Sequence, residues 1–414
     1  MRRLVVLGGG TAGTMAANKL RRKLDRRRWS ICLVDRDDRH VYQPGLLFLP
    51  FGTYQSSDLV KPRRRCIHDG IELVLAEVDR VDADANVVHL ADGRRLEYEY
   101  LVIATGTSPR PDQTPGMLGS QWRRSIFDFY SLDGATALAA SLRRFDAGRL
   151  VVHVTDMPIK CPVAPLEFAF LAEAYFRDLG LRDRVELSYA TPLPGAFTKP
   201  VASARLGSML DERKIVVEAD FMVERIDDGT KTLISYDERE IPFDLLVTVP
   251  LNMGADYIAR SGLGDELNYV PVDRHTLLST AHENIFAIGD ANNTPTSKAG
   301  SVAHFSVDVF TGNFCQHIAG QPMTGRFDGH ANCFVEAGDG KGLLIDFNYD
   351  TEPLTGRYPI PVVGPFALLT ESTANHWGKL AFRWMYWHLL LPGRPIPLPA
   401  HMSMAGKHRP EVKE

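Results

Sequence analysis

The chain has 414 residues, 44% hydrophobic and 24% charged, with a formal net charge of −4. That length exceeds a single domain and favours two units of dinucleotide-binding size plus a C-terminal extension, while the charge balance gives no general affinity for nucleic acid. Five cysteines (Cys32, Cys66, Cys161, Cys315 and Cys333) are too scattered for a secreted disulfide scaffold or a paired zinc site, and they fit a reducing compartment.

Arg2-Arg3 precede an apolar run, Leu4 to Leu7, which ends at Gly8-Gly9-Gly10 and is too short for a signal peptide core. The run reads as a buried strand. Helical spacing follows from Ala12 to Leu24, and a second strand from Trp29 to Val34 ends in Asp35, together a βαβ unit. Gly70 to Val78, Val87 to Leu90 and Tyr100 to Ile103 read as further strands, the last running into Ala104-Thr105-Gly106. A second α/β region spans from near Leu150 to about Leu263. Glu283 to Ile288 is a strand stopped by Gly289-Asp290. A long helix is expected from Ala299 to Ile318 with Gly320 as its stop, and Tyr358 to Gly364 is Pro-rich and extended. The first α/β pattern resumes near Asp273, so the first domain is expected to be discontinuous. No stretch of about 18 to 20 uncharged apolar residues occurs, which argues against a spanning helix.

Gly8-x-Gly10-x-x-Gly13 lies between a strand and a helix, the context in which this motif cradles a dinucleotide. The first glycine permits the turn, the second admits the pyrophosphate, and the third lets helix and strand approach. The phosphates then meet a helix N-terminus, and Asp35 is placed to accept ribose hydroxyls.

Two later segments carry a resemblance. Leu101 to Gly106 is similar to the crossing segment of flavoproteins with two dinucleotide-binding domains, and Thr280 to Asp290 is similar to their second FAD motif. The resemblance covers residues 1 to about 320. It implies an α/β fold with two Rossmann-like dinucleotide-binding domains in tandem, followed by a C-terminal membrane-binding segment. The FAD contacts it implies are Gly8, Gly10, Ala12, Gly13, Asp35 and Arg36, then Val78, Thr105 and Gly106, then Gly289, Asp290 and Lys298. The helix after Lys298 would present its N-terminus to the flavin ring and favour negative charge on it.

The second domain departs from NAD(P)H-using relatives. Its first strand, Leu150 to Val154, is followed by a proline-rich loop, and no glycine occurs between Gly148 and Gly180. Proline lacks an N–H, so this loop cannot line up donors for a second pyrophosphate. There the segment Lys160-Cys161-Pro162, with Glu167 beyond it, resembles the first redox-cysteine region of sulfide:quinone oxidoreductases and of flavocytochrome c sulfide dehydrogenase. Cys333 to Gly340 resembles the second. The resemblance implies Cys161, Cys333 and Glu167 as catalytic residues, with hydrosulfide attacking a Cys161–Cys333 disulfide and electrons passing through FAD to quinone. A helix N-terminus and Lys160 are expected to lower the pKa of Cys161. Cys32 and Cys315 read as packing residues, and Cys66 is unassigned. No metal site is expected, because His330-x-x-Cys333 has no second pair. The family's third cysteine is missing between Gln121 and Asp133, and none lies near Tyr42-Gln43-Pro44, so noncovalent FAD is expected.

His376 to Leu391 holds three of the five tryptophans, and Ser372 to Pro410 contains no Asp or Glu. Such a segment is suited to lie in a membrane interface, with Trp377, Trp384 and Trp387 at headgroup level and Lys379 and Arg383 snorkelling to phosphates. It also resembles the family's quinone-binding region, which implies that Lys379 and Phe382 line a quinone pocket. The expected division is 1–115 and 269–325 for the FAD domain, 116–268 for the second Rossmann-like domain, and 326–414 for the C-terminal region. The implied enzyme is a monotopic protein of the cytoplasmic membrane that oxidises sulfide to polysulfide or sulfur, with sulfide, membrane quinone and the membrane surface as partners and homo-oligomerisation left open. A type II NADH:quinone dehydrogenase and another thiol-oxidising flavoprotein are the alternatives.

Overall fold

Runs of aliphatic residues that are buried on both faces produce parallel strands with helices on either side, and the N-terminal half is built in this way. The computed structural model describes residues 1–360, 364–396 and 399–410. In chain order, the elements that position the site begin with β1 (Arg2–Leu7), α1 (Thr11–Lys23), β2 (Trp29–Asp35), β3 (Ile71–Leu75) and β4 (Tyr100–Ile103). Next come β5 (Ile126–Phe127), β6 (Gly148–Val154), α2 (Ala164–Asp178), β7 (Val185–Ala190), β8 (Val216–Glu218) and β9 (Leu245–Val249). Then follow β10 (Ile285–Ala287), α3 (Gly300–Ile318), β11 (Ala331–Gly338), β12 (Lys341–Phe347), β13 (Thr355–Tyr358), β14 (Phe366–Leu368), α4 (Thr373–Met385) and β15 (Lys407–His408).

The first sheet has the order β10-β4-β1-β2-β3, and all its pairs are parallel. Strand β10 therefore returns to the sheet begun by β1, after the second sheet, β5-β9-β6-β7-β8, has been completed. That second sheet is also parallel throughout. The stretch from Gly70 to Val78 differs from the single strand expected. Strand β3 ends where Ala76 N–H donates to Asp35 O at 2.8 Å, and the chain restarts at Val78 in a separate antiparallel sheet with Val87–Leu90. The mostly apolar pattern, interrupted only at Glu72 and Glu77, hid the change of partner.

A third sheet, β11-β12-β14-β13-β15, gathers the C-terminal region. Its β11–β12 hairpin turns at Asp339-Gly340, where both φ angles are positive (54° and 61°), the geometry Asp-Gly accepts in a two-residue turn. Helix α4 is capped by Ser372 Oγ, which accepts from Asn375 N–H at 3.1 Å. The buried Asn375 amide then bonds Gly342 O, Ala367 O and Thr370 O, tying the helix to β12 and β14. The Pro-rich run from Tyr358 is described only at its ends, since 361–363 lie outside the described residues.

Close packing between α1 and the β1 turn depends on Gly13, where a Cβ would lie 1.8 Å from Gly8 O. Gly13→Ala should therefore force the helix away from the turn, lowering stability by about 1–3 kcal/mol as overpacking does. The checks are the thermal midpoint and the flavin content of the purified variant, and an unchanged midpoint would show that the turn adapts.

Candidate active site

The β1–α1 turn is a cradle with one open side. Gly8 has φ +95° and passes under Ala104, whose carbonyl would be 2.4 Å from a Cβ there, whereas a Cβ on Gly10 would meet nothing within 4 Å. Helix α1 starts at that open position with no side-chain cap and no acid in its first turn. Its free N–H groups and dipole suit a pyrophosphate. One carboxylate oxygen of Asp35 accepts from Gly9 N–H at 2.7 Å, and the other lies 3.1 Å from the Arg63 guanidinium. Arg63 also donates to Gly9 O and Arg39 O. It is a site residue the sequence reading missed, because the Arg63-Arg64-Arg65 run reads as a solvated loop, yet Arg63 is buried beside the cradle while Arg64 and Arg65 are exposed.

Buried His40 bonds Gly9 O at 3.0 Å and Tyr386 OH at 2.6 Å, and Tyr386 OH bonds Thr11 Oγ1 at 2.8 Å. Burial and the nearby Arg63 charge pull the His40 imidazole down to about 3, so it stays neutral. The C-terminal segment is thereby hydrogen-bonded to the glycine turn.

Ala12 faces Gly289, where an added Cβ would sit 2.7 Å from the Ala12 methyl. Thr105 Oγ1 lies 3.2 Å from Tyr257 OH, and Gly106 has φ +66°. Asp290 and Lys298 lie between Gly289 and the start of α3. The Lys298 ammonium donates to Asp290 O at 3.2 Å and Asn292 O at 2.9 Å and stands 4.0 Å over the Tyr269 ring. Desolvation pulls it down to about 8, opposed by the Asp290 charge, and lifts the Asp290 carboxyl in turn. Helix α3 begins without a side-chain cap or a first-turn acid. Two bare helix N-termini, an open glycine and a buried ammonium match the phosphates and anionic ring of a flavin dinucleotide.

Val78 is half-buried just beyond the β3 end that borders Asp35, and Arg36 is largely exposed with only a 3.9 Å approach to Asp37. Neither is drawn into the cradle by a protein contact.

Cys161 and Cys333, distant in sequence, both meet the start of α3. Cys161 N–H donates to Lys298 O at 2.7 Å, and Cys333 Sγ lies 3.8 Å from Ser301 Oγ. Each thiol is close enough to Glu167 and Lys379 to feel their charges, and Cys161 feels Cys333. Cys161 has φ +45°, a strained left-handed conformation for a side chain of its kind. Both residues are half-buried by area, but protein crowds their sulfurs. Burial pushes the Cys161 thiol well above its ordinary range, with Glu167 adding to it, and pushes Cys333 up to about 11. The expected lowering by Lys160 and a helix end is therefore corrected. Lys160 donates instead to Gln43 Oε1 at 3.0 Å, and desolvation outweighs the short approach to α2.

Glu167 is fully buried on α2. One of its oxygens accepts from Lys379 Nζ at 2.6 Å and from Glu336 N–H at 2.7 Å, and the other has no partner. Lys379 Nζ also donates to Phe334 O at 2.9 Å. Lys379 thus turns inward and does not snorkel to phosphates, because a buried carboxylate outbids water for its ammonium. Phe382, two residues past Leu380 on α4, lies against Gly300 at the start of α3. Trp377 and Trp384 are 63% and 61% exposed, but Trp387 folds back against His40 and Tyr42, with Lys61 4.4 Å over its ring. Its expected headgroup position is corrected too. No cluster able to hold a metal occurs among the described residues, and His330 instead bonds Asp346 at 2.9 Å. No helix among them is long and apolar enough to cross a membrane.

Residues 2–153 match the family profile described as pyridine nucleotide-disulphide oxidoreductase. The mitochondrial sulfide:quinone oxidoreductase of Mus musculus is 25% identical over 94% of this chain and 86% of that protein, and the Dictyostelium discoideum counterpart is 26% identical over 95% and 86%. The crystal structure of the sulfide:quinone oxidoreductase of Aquifex aeolicus superposes with a TM-score of 0.78 at 19% identity, covering 95% of this chain and 92% of that one. Fold and site define an α/β oxidoreductase with a flavin cofactor. Within that class, the relatives that match the chain along nearly its whole length are sulfide:quinone oxidoreductases, and it is to these that the chain is similar.

Lys379→Met should leave the Glu167 carboxylate buried without its counter-charge and cost about 3–5 kcal/mol in chemical denaturation. The double variant Glu167→Gln/Lys379→Met should recover most of that loss. A double variant no more stable than the single one would show that the pair is not what holds these helices.

Proposed function

We propose that the protein oxidises sulfide to polysulfide or sulfur and passes the electrons through noncovalently bound FAD to membrane quinone, using Cys161 and Cys333 as its redox pair. The observation that carries this reading is that Cys161, bonded to Lys298 O, and Cys333, beside Ser301 Oγ, both meet the start of α3, with the Glu167–Lys379 pair bonded to the strand that carries Cys333. FAD, when bound, takes up two electrons and hands them on to quinone. Hydrosulfide attacks one sulfur of a Cys161–Cys333 disulfide; the S–S bond breaks, leaving a persulfide on one cysteine and a thiolate on the other. Because burial disfavours thiolates here, the released charge needs local compensation. The Lys379 ammonium supplies it, and the unpartnered Glu167 oxygen is free to take a proton.

The pocket after β6 supports the choice of donor. Between Thr155 and Val163 the chain offers prolines and the cysteine region in place of a glycine turn. Phe382 against Gly300 supports a quinone site between α4 and α3, with Lys379 beside it. Cofactor roles for Gly8, Gly10, Gly13, Asp35, Gly289, Asp290 and Lys298 follow from the same cradle. The exposed Trp377 and Trp384, in a segment free of acids, support a monotopic seat on the membrane.

Anaerobic sulfide should bleach the flavin rapidly and NADH should not. Cys161→Ser and Cys333→Ser should each retain FAD and lose about a hundredfold or more of sulfide-dependent quinone reduction. Either variant turning over at the parent rate with full FAD would sink the cysteine relay.

For the membrane seat, Trp377→Ser/Trp384→Ser is a cleaner test than truncation, since α4 also carries the buried Lys379 and Asn375. The variant should release the protein from anionic liposomes in a flotation assay while its thermal midpoint stays at the parent value. Continued flotation would move the anchor elsewhere.

A further inference from the structure

Resting on the quinone-reducing function proposed above, we infer that Glu336 and His376 form a proton relay from solvent to Lys379 at the quinone side of the flavin. Glu336 is 1% exposed on β11, and His376 Nδ1 lies 2.9 Å from its carboxylate. The His376 side chain is 21% exposed, so the pair joins a buried carboxylate to water. Inward, Glu336 N–H donates to the Glu167 oxygen that also holds the Lys379 ammonium. His376, Lys379 and Phe382 follow one another at spacings of three along α4, leading from the surface to the start of α3. The path ends where the quinone is proposed to sit.

Charge supplies the second argument. Two buried carboxylates lie side by side, Glu167 paired with the Lys379 ammonium and Glu336 with His376, so the cluster carries an excess negative charge unless a proton resides on it. The other charges facing Glu336 do not remove that excess. Arg213, which donates to Ala337 O, is paired with Glu371 at 2.6 Å, and Arg383 stands over Tyr54, which is also near Asp58. Burial raises the Glu336 carboxyl, opposed by His376 and Lys379.

The reaction has a use for that proton. Quinone takes up two electrons and two protons to become quinol. Flavin, when bound, would supply both electrons and one proton, and the second proton would come from the protein. Lys379 donates it to a quinone oxygen, Glu336 restores it, and His376 refills Glu336 from water. No relay member contacts the flavin cradle, so Glu336 and His376 are proton-supplying and not electron-carrying groups.

The test uses the FAD-loaded protein reduced with dithionite, which makes it independent of the sulfide half-reaction. Reoxidation by a short-chain ubiquinone is followed by stopped flow across the neutral pH range, with ferricyanide as an acceptor that takes electrons without protons. Glu336→Gln and His376→Gln should each slow reoxidation by quinone about tenfold or more, increasingly as pH rises, as loss of a proton donor does. Ferricyanide should reoxidise them at the parent rate, and imidazole should restore the quinone rate of His376→Ala. Parent rates with quinone at every pH, or equal slowing with both acceptors, would overturn the relay. A parent protein that ferricyanide reoxidises and quinone does not would overturn the quinone reading itself and the relay with it.

Discussion

The ion pair between Glu167 and Lys379 is the constraint around which the rest of the molecule is arranged. It joins α2 of the second sheet's domain to α4 of the C-terminal region, and through Phe334 O and Glu336 N–H it pins both to β11, the strand that carries Cys333. A charge buried at 0% exposure must be paired, so these three elements cannot separate without a large desolvation cost. The pair thereby joins the helix that follows Cys161 to the strand that carries Cys333.

A second tie runs from the C-terminal end of α4. Tyr386, just past its end, reaches Thr11 and His40, and His40 reaches Gly9 O in the glycine turn. The segment that presents Trp377 and Trp384 outwards is therefore tied to the glycine turn through Tyr386 and to Glu167 and β11 through Lys379.

Electrostatics divides the site into two regimes. At the flavin end, uncapped helix N-termini and Lys298 favour negative charge. At the sulfur end, burial resists it, and both thiols are held protonated when reduced. The strained φ of Cys161 belongs to that second regime.

The sequence by itself determined the local units. Aliphatic runs and the Gly8-x-Gly10-x-x-Gly13 spacing specify strand, turn and helix through short-range sterics, and the glycine-free stretch after Val154 excludes a second phosphate turn for the same reason. Helix α3 and strand β4 were legible to within a residue because periodicity and a terminal glycine are local signals. What only the tertiary structure decided are the long-range pairings. The split at Ala76, the inward turn of Lys379 and Trp387, the burial of Arg63 and the upward shift of Cys161 each depend on a partner far away in the chain. So does the meeting of Glu336 with His376. A side chain's charge state and direction follow from which carboxylate, ring or carbonyl is desolvated beside it, and that is a property of packing, which no window of sequence contains.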